Sequence, residues 1–567
     1  MTTASTPVTP GPSTPTILRP LLPSEQKKVD AILNIERPAS TPFPRQELLD
    51  GEISQRRGGL ETLEWMEEQP PMPEPEQQPP TPPESGSFLC ALPVEIHEHI
   101  LDHLFGCRAA ASARTMTPGK SKVLRNWGTA LRHSRRREVS ELALVSAQWR
   151  NLIQERLYRH LKIKGTRDSI DQASEWFYTH PHLCEYVKHI EIWFPVFQTK
   201  KLPIDRILRI PSVVPDRSTL IRSLATLGQE TATSVTYQSP SNNCALDEIF
   251  RFVRTTFSEA CILTLEGGDR KKPPQVQRFS RPDTTTQLPV VDSIRTLVCK
   301  GQWNIIRTDE DFQIIAAALP NLNEWHGSYA KPKSKAYLCI AQIAPRIPEN
   351  ITHLNICLEN DYRREATTPA FFRKVAQKTH FCNDLAKAIP TLEHLAYTGR
   401  VCHTFFDTAA RLSNRRTSRL KSVELIVKNC CRPTMQWNDG SGISDMTFIL
   451  AFEALVVSAV KALDKLTALD YLRIRFIDLE SQVPPLNPYF EMVQNRCTGI
   501  WSTQIVDELA KTRSSAYFVE KAETLGEVEV GKDGQFLTGP TFSKTRPLSI
   551  KVSSYLTLTG GSPITIT

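Results

Sequence analysis

The strongest constraint on this chain is a short pattern that keeps returning through its C-terminal two-thirds. In Val187-Lys188-His189-Ile190-Glu191-Ile192-Trp193-Phe194, apolar and polar residues alternate. Similar runs lie at residues 294–298, 322–325, 351–356, 392–397, 420–425 and 469–474. Alternation puts every second side chain on one face of an extended strand, so each run predicts a short strand with one apolar face. Several runs follow a helix-like segment that closes on a Leu-Pro or Ile-Pro step, as at Leu319-Pro320 and Ile389-Pro390. Proline disfavours helix in the residue before it and so marks the stop. A single strand cannot bury its own apolar face. The expected outcome is an α/β fold in which the strands stack in parallel and helices lie outside.

The units recur roughly every 27 to 50 residues, which predicts an irregular leucine-rich-repeat-like solenoid over residues 163–510. An ordinary α/β domain with a parallel sheet is the rival. Loops rich in Pro, Ser, Thr and charge are expected to interrupt the array at 211–243 and 271–289. Trp303, Trp325, Tyr329, Tyr337, Tyr397 and Trp437 are candidate anchors for a partner, because aromatic residues dominate interface hot spots. Residues 511–567, with the strand-like Leu548-Ser549-Ile550-Lys551-Val552, are expected to form a terminal cap or tail.

The other end of the chain is different in kind. Of the 42 prolines, 17 fall within the first 86 residues, among Ser, Thr, Gln and Glu. So little apolar surface cannot offset chain entropy, and residues 1–86 are expected to be disordered. Thr-Pro steps at Thr6, Thr9, Thr14, Thr41 and Thr81 would be within reach of proline-directed kinases. The start of the chain has neither a basic cluster nor an apolar run, and the most apolar stretch, 448–460, is interrupted by Glu453. The expectation is a soluble protein of the cytoplasm, the nucleus or both, with no membrane association.

Lys and Arg number 69 against 61 Asp and Glu, a net charge of +8, and this near-balance gives no case for nucleic-acid binding. The one dense basic patch contains Arg132, Arg135, Arg136 and Arg137, a candidate nuclear import signal or phosphate-seeking surface. The 13 cysteines are scattered without a C-x-x-C spacing, and the adjacent pair Cys430-Cys431 matches no zinc or redox pattern. Buried free thiols in a reducing compartment are expected, with no metal and no cofactor.

Between head and repeats lie two short helical stretches. Pro93 suits the first position of a helix and Glu95 the positive end of its dipole. At about 100° per residue, Ile96, Ile100, Leu101, Leu104 and Phe105 cover roughly half of this helix. That arc is wider than one neighbouring helix usually covers, so part of it should face another chain. The second stretch carries Leu142, Val145, Trp149 and Leu152 at helical spacing, with Ser146 placed to cap a new helix. His97, His99 and His103 invite a metal reading, but the H-E-x-x-H pattern fails because Leu101 occupies the place of the second histidine.

Leu92-Pro93-x-Glu95-Ile96-x-x-x-Ile100-Leu101 and Leu142-x-x-Val145-Ser146-x-x-Trp149-Arg150-x-Leu152-Ile153 together resemble the F-box family. Leu157-Tyr158-Arg159-His160-Leu161 is similar to the continuation seen in many fungal members. The resemblance implies a hook at 87–162 that binds the adaptor subunit of cullin-RING ubiquitin ligases. Its contact residues would be Leu92, Pro93, Ile96, Ile100, Leu101, Leu104, Leu142, Val145, Trp149 and Leu152. An ordinary F-box joins its halves with a few residues, whereas here the 34 residues of 107–140 intervene, basic patch included. That insertion resembles one in a group of filamentous-fungal F-box-like proteins.

The resulting expectation is a non-catalytic substrate-recognition subunit of an SCF-type ligase, with adaptor, cullin and an unknown substrate protein as partners. A scaffold or regulatory protein that uses the F-box with the adaptor alone is the alternative. Neither a phosphate-loop lysine nor a Gly-x-Ser-x-Gly elbow is present, so the sequence offers no constellation for an enzyme.

Overall fold

A computed structural model describes residues 92–105, 140–195, 242–268, 275–281, 287–329, 333–359, 372–431, 443, 446–478, 486–523, 528–530, 536–538 and 548–557. The Pro-rich head at 1–86 with its Thr-Pro steps, the basic insertion with Arg132, Arg135, Arg136 and Arg137, and Trp437 lie outside the described residues. So does most of the expected loop at 211–243.

The protein is mixed α/β, built on one large sheet. Strands β1 (His160–Lys164), β2 (His189–Trp193), β3 (Ile262–Glu266), β4 (Thr296–Lys300) and β5 (Glu324–Ser328) pair in chain order. They continue into β6 (His353–Cys357), β7 (His394–Arg400), β8 (Ser422–Asn429) and β9 (Tyr471–Phe476). Each of these strands is parallel to the one before it. Parallel neighbours need a crossover, and helices supply most of the crossovers: α3 (Arg167–Thr179), α4 (Leu246–Thr256), α5 (Asp309–Ala317), α6 (Lys333–Ile343), α7 (Phe381–Ala386), α8 (Thr404–Leu412) and α9 (Met446–Ala462). Two further helices, α1 (Val94–Phe105) and α2 (Ala147–Tyr158), precede the sheet.

The recurring apolar runs are the strands, with a fixed offset. Val187, Ile294, Leu322, Ile351, Leu392, Leu420 and Leu469 are fully buried, and a strand begins two residues after each. The backbone N–H groups of the one intervening residue and of the strand's first residue converge on one carbonyl of the preceding unit. Thr352 and His353 donate to Asn323 O at 2.9 and 3.0 Å, and Glu393 and His394 to Thr352 O at 2.8 and 3.0 Å. The same pair of bonds joins Asn323 and Glu324 to Arg295 O, and Lys421 and Ser422 to Glu393 O. This contact fixes the register of each new strand against the last.

Register then sorts the side chains. Ile190, Leu263, Leu297, Trp325, Leu354, Leu395, Val423 and Leu472 sit opposite one another across successive strands, and all are buried. The helices pack onto this row, with Phe250, Phe312, Phe381, Phe405, Phe406 and Phe448 fully buried. Phe312 lies 4.2 Å from Trp325 between ring centroids, and Phe381 lies 4.9 Å from Tyr337. Each such ring stabilises the fold by roughly 1.5–3 kcal/mol through removal from water. In the parallel inner row Gly327 replaces a side chain, because a Cβ there would meet the carboxamide oxygen of Gln302. That same carboxamide donates to Tyr329 Oη at 2.8 Å.

The proposed aromatic anchors need correction. Trp325, Tyr329, Tyr337 and Tyr397 are fully buried. Trp325 is the second residue of β5 and Tyr397 the fourth of β7, which is the inward phase of the alternation. Tyr337 faces the sheet from α6, donating to Glu359 at 2.9 Å and accepting from the Arg400 N–H at 2.6 Å. Trp303 alone among the described candidates is half-buried, with Arg307 and Lys335 over its ring at 5.4 and 5.7 Å.

Beyond β9 the sheet turns antiparallel through β10 (Tyr489–Val493) and β11 (Arg496–Trp501). A helix, α10 (Thr503–Thr512), follows, and the short strands Tyr517–Phe518 and Ser549–Lys551 add to β11. Short strands within 511–567 thus extend the end of the sheet, while Val528–Val530 and Phe536–Thr538 pair only with each other. No described helix is long and apolar enough to cross a membrane.

Candidate functional site

Helices α1 and α2 pack against each other as a hook. Leu101 and Ile153 are its fully buried apolar pair, with Leu142, Ala143, Trp149, Leu152 and Leu157 packed around them. His97, one turn before Leu101 on the same face, is also buried and meets Trp149 edge-on at 5.6 Å. Among the described residues, neither ring nitrogen of His97 has a hydrogen-bond partner. The two helices are clamped by Arg156, which is buried and donates to Asp102 at 2.6 Å and to the Glu98 carbonyl at 3.3 Å. Ser146 caps α2 as its residue type requires, its hydroxyl accepting from the Trp149 N–H at 3.2 Å.

The sequence-derived contact residues divide into two groups. Leu101 belongs to the hook's own core, and Trp149, Leu142 and Leu152 pack against it, so these four support the hook rather than forming its open face. Pro93, Ile96, Leu104 and Val145 are exposed, whereas Leu92 and Ile100 are half-buried. Ile96, Ile100 and Leu104 follow one another at four-residue steps and form a stripe along α1. Val145, with the neighbouring Leu144, lies at the turn into α2 and is 64% exposed. Leu144 was not among the sequence candidates, although its place beside Val145 at the break marks it. His99 and His103 are exposed, on the polar side of α1.

The hook is joined closely to the sheet. Arg159 is the one residue between α2 and β1. Tyr158 at the end of α2 meets Phe177 of α3 at 6.4 Å, so the two parts share packing.

On the sheet face opposite the helices, the odd-numbered strand positions include the charged residues Lys162, Glu191, Glu266 and Lys300. Glu191 is buried and accepts from His160 at 3.1 Å, Lys162 at 2.9 Å and Lys300 at 3.1 Å. Lys162 also reaches Glu266 at 2.8 Å. Burial opposes ionisation of Glu191, but the hydrogen bonds from His160 and Lys162 and the charge of Lys300 hold its carboxyl well below the usual range. His189 stacks on His160 at 4.3 Å, and burial followed by that neighbour keeps it well below the usual imidazole range. At the other end Arg475 pairs with Glu424 at 3.2 Å.

A third constellation was not visible in the sequence. His380, Cys382, Cys402 and Cys431 place one nitrogen and three sulfurs within 4.8 Å of one another. Cys382 lies in α7, whereas Cys402 and Cys431 each lie two residues beyond β7 and β8. The strand ends Arg400 and Asn429 are register partners, which makes the two cysteines equivalent positions in successive units. Cys382, Cys402 and Cys431 are buried. Hydrogen bonds from Cys382, Cys430 and Cys431 lower the Cys402 thiol, while the contacts of Cys430 with Cys402 and Cys431, reinforced by burial, push the Cys430 thiol up.

Comparison with protein-family models gives no match for this chain, and no curated protein matches it.

Proposed function

We propose that the chain is a non-catalytic substrate receptor of a cullin-RING ubiquitin ligase. In this reading the hook is an F-box that docks the adaptor, and the sheet is a leucine-rich-repeat-like solenoid that holds a target protein. The supporting observation is the apolar stripe of exposed Ile96 and Leu104 with half-buried Ile100 between them, continued at the turn by exposed Leu144 and Val145, on a hook whose fully buried apolar residues among those described are Leu101 and Ile153. Covering that stripe with a partner's helices would remove its exposed apolar surface from water.

The single-residue link at Arg159 supports the same reading. A target held on the sheet would keep a fixed orientation relative to the adaptor, and ubiquitin transfer would gain from proximity rather than from chemistry in this chain. With Trp325, Tyr329, Tyr337 and Tyr397 buried, the face offered to a target in this reading is the charged one around Lys162, Glu266 and Lys300.

The test is affinity purification of the full chain beside an Ile96→Asp/Val145→Asp variant. Both positions are exposed, so the variant should fold. Adaptor and cullin are expected with the wild type and should be lost with the variant. Equal recovery from both would remove the F-box reading, and adaptor without cullin would favour the scaffold reading.

A further inference from the structure

The geometry points to a structural zinc site formed by His380, Cys382, Cys402 and Cys431, which ties together three successive units of the sheet. It stands apart from the adaptor reading and is tested separately.

The donor set comes first. Three thiols and one imidazole are a closed, four-ligand set of the kind that holds zinc structurally, with no position left open for a substrate. The separations between the donor atoms fit such a centre. Cys382 Sγ and Cys431 Sγ are 3.3 Å apart, Cys431 Sγ and Cys402 Sγ 3.4 Å, and His380 Nε2 and Cys402 Sγ 3.4 Å. Zinc–sulfur bonds of about 2.3 Å in a tetrahedron set sulfur atoms about 3.8 Å apart, so the two sulfur–sulfur edges given need to open by only about half an ångström, and all the donor atoms already lie within 4.8 Å of one another.

Burial is the second argument. The three sulfurs converge on one another in the interior, a poor use of core volume if they act only as small apolar groups. The Cys402 backbone N–H donates to Cys382 Sγ at 3.3 Å, the kind of amide contact that orients and stabilises a metal-bound thiolate. A disulfide would use two of the three sulfurs and leave the third thiol and the imidazole without a role.

The third argument is placement. The ligands come from the start of α7 and from the segments that leave β7 and β8. A metal there would cross-link connections that parallel strand pairing alone does not hold. Binding would exchange three thiol protons for one Zn²⁺, leaving a centre of net charge −1 with a neutral imidazole. No electron transfer is involved.

The experiment measures zinc in the full-length protein, expressed with zinc and purified under reducing conditions, by mass spectrometry after exhaustive dialysis. About one zinc per chain is expected. Cys431→Ser and Cys382→Ser should lose it, while Cys497→Ser, a buried cysteine outside the cluster, should retain it. Because a cluster variant could fail to fold, the wild type provides a second readout. Replacing zinc with Co²⁺ should give thiolate-to-metal charge transfer and the visible bands of a tetrahedral centre. A metal-free wild type that takes up no Co²⁺, or reduced protein in which all three thiols react freely at the same rate with and without zinc, would overturn the site.

Discussion

The sheet and the hook face the same task, burying apolar side chains, and complete it to different degrees. In the sheet, the inward row of the strands is covered by neighbouring strands and by helices, and rings such as Trp325, Tyr337 and Phe312 are fully buried. In the hook, fully buried Leu101 and Ile153 sit beside apolar residues that remain open, up to the 64% exposure of Val145. The contrast sets what an element needs for folding against what the proposed docking would use. Core residues of the sheet should govern stability, and exposed residues of the hook should govern association.

The contrast is sharpest at Trp325. Trp325→Ala would empty a site fully buried against Phe312 and should cost about 3–5 kcal/mol, measured as a shift in the denaturant midpoint. A loss under 1 kcal/mol would mean that the sheet core is looser than described. Gly301→Ala should cost about 1–3 kcal/mol, since Gly301 has φ +57° and its Cβ would meet the Gly268 backbone. Asp102→Ala, which leaves the buried Arg156 guanidinium without its carboxylate, should cost about 1–3 kcal/mol within the hook. Hydrogen exchange should quicken in α1 and stay unchanged in β5 to β8.

A smaller effect concerns pH. Burial, followed by the charge of the stacked His353, lowers His394 to about 4. In the unfolded chain a histidine titrates near 6.5, so between about 6.5 and about 4 the unfolded state binds more protons than the folded one. Stability should therefore fall as pH drops through that window, and His394→Gln should flatten the slope. The smallest expected effect is on the folding of the Ile96→Asp/Val145→Asp variant, whose stability should stay within about 0.5 kcal/mol of wild type at each site.

How far the sequence could be read follows from which signals are local. The strand runs were legible because a buried Leu, Ile or Val precedes each by two residues. β3 was missed because Ala260 stands in that place, and Ile262-Leu263-Thr264-Leu265 barely alternates. The inward turn of Trp325 and Tyr397 depended on knowing the first residue of each strand, since a one-residue change of phase reverses every side chain. In the hook, the Ser146 cap was local and was found. The division of Leu101 from Ile96 and Leu104 depended on where α2 packs. The thiol-imidazole cluster is invisible to motif spacing because Cys382 and Cys402 are 20 residues apart and Cys402 and Cys431 are 29 apart. Strand register, not sequence distance, brings them together.

The central claim is that the open stripe of the hook is a docking face, and calorimetric titration with the purified adaptor subunit tests it most directly. Wild type should bind with a negative heat-capacity change from apolar burial. Ile96→Asp/Val145→Asp should weaken binding by about 2 kcal/mol or more, at least thirtyfold, while melting at the wild-type temperature. No binding by the wild type, or equal binding by both proteins, would contradict the claim.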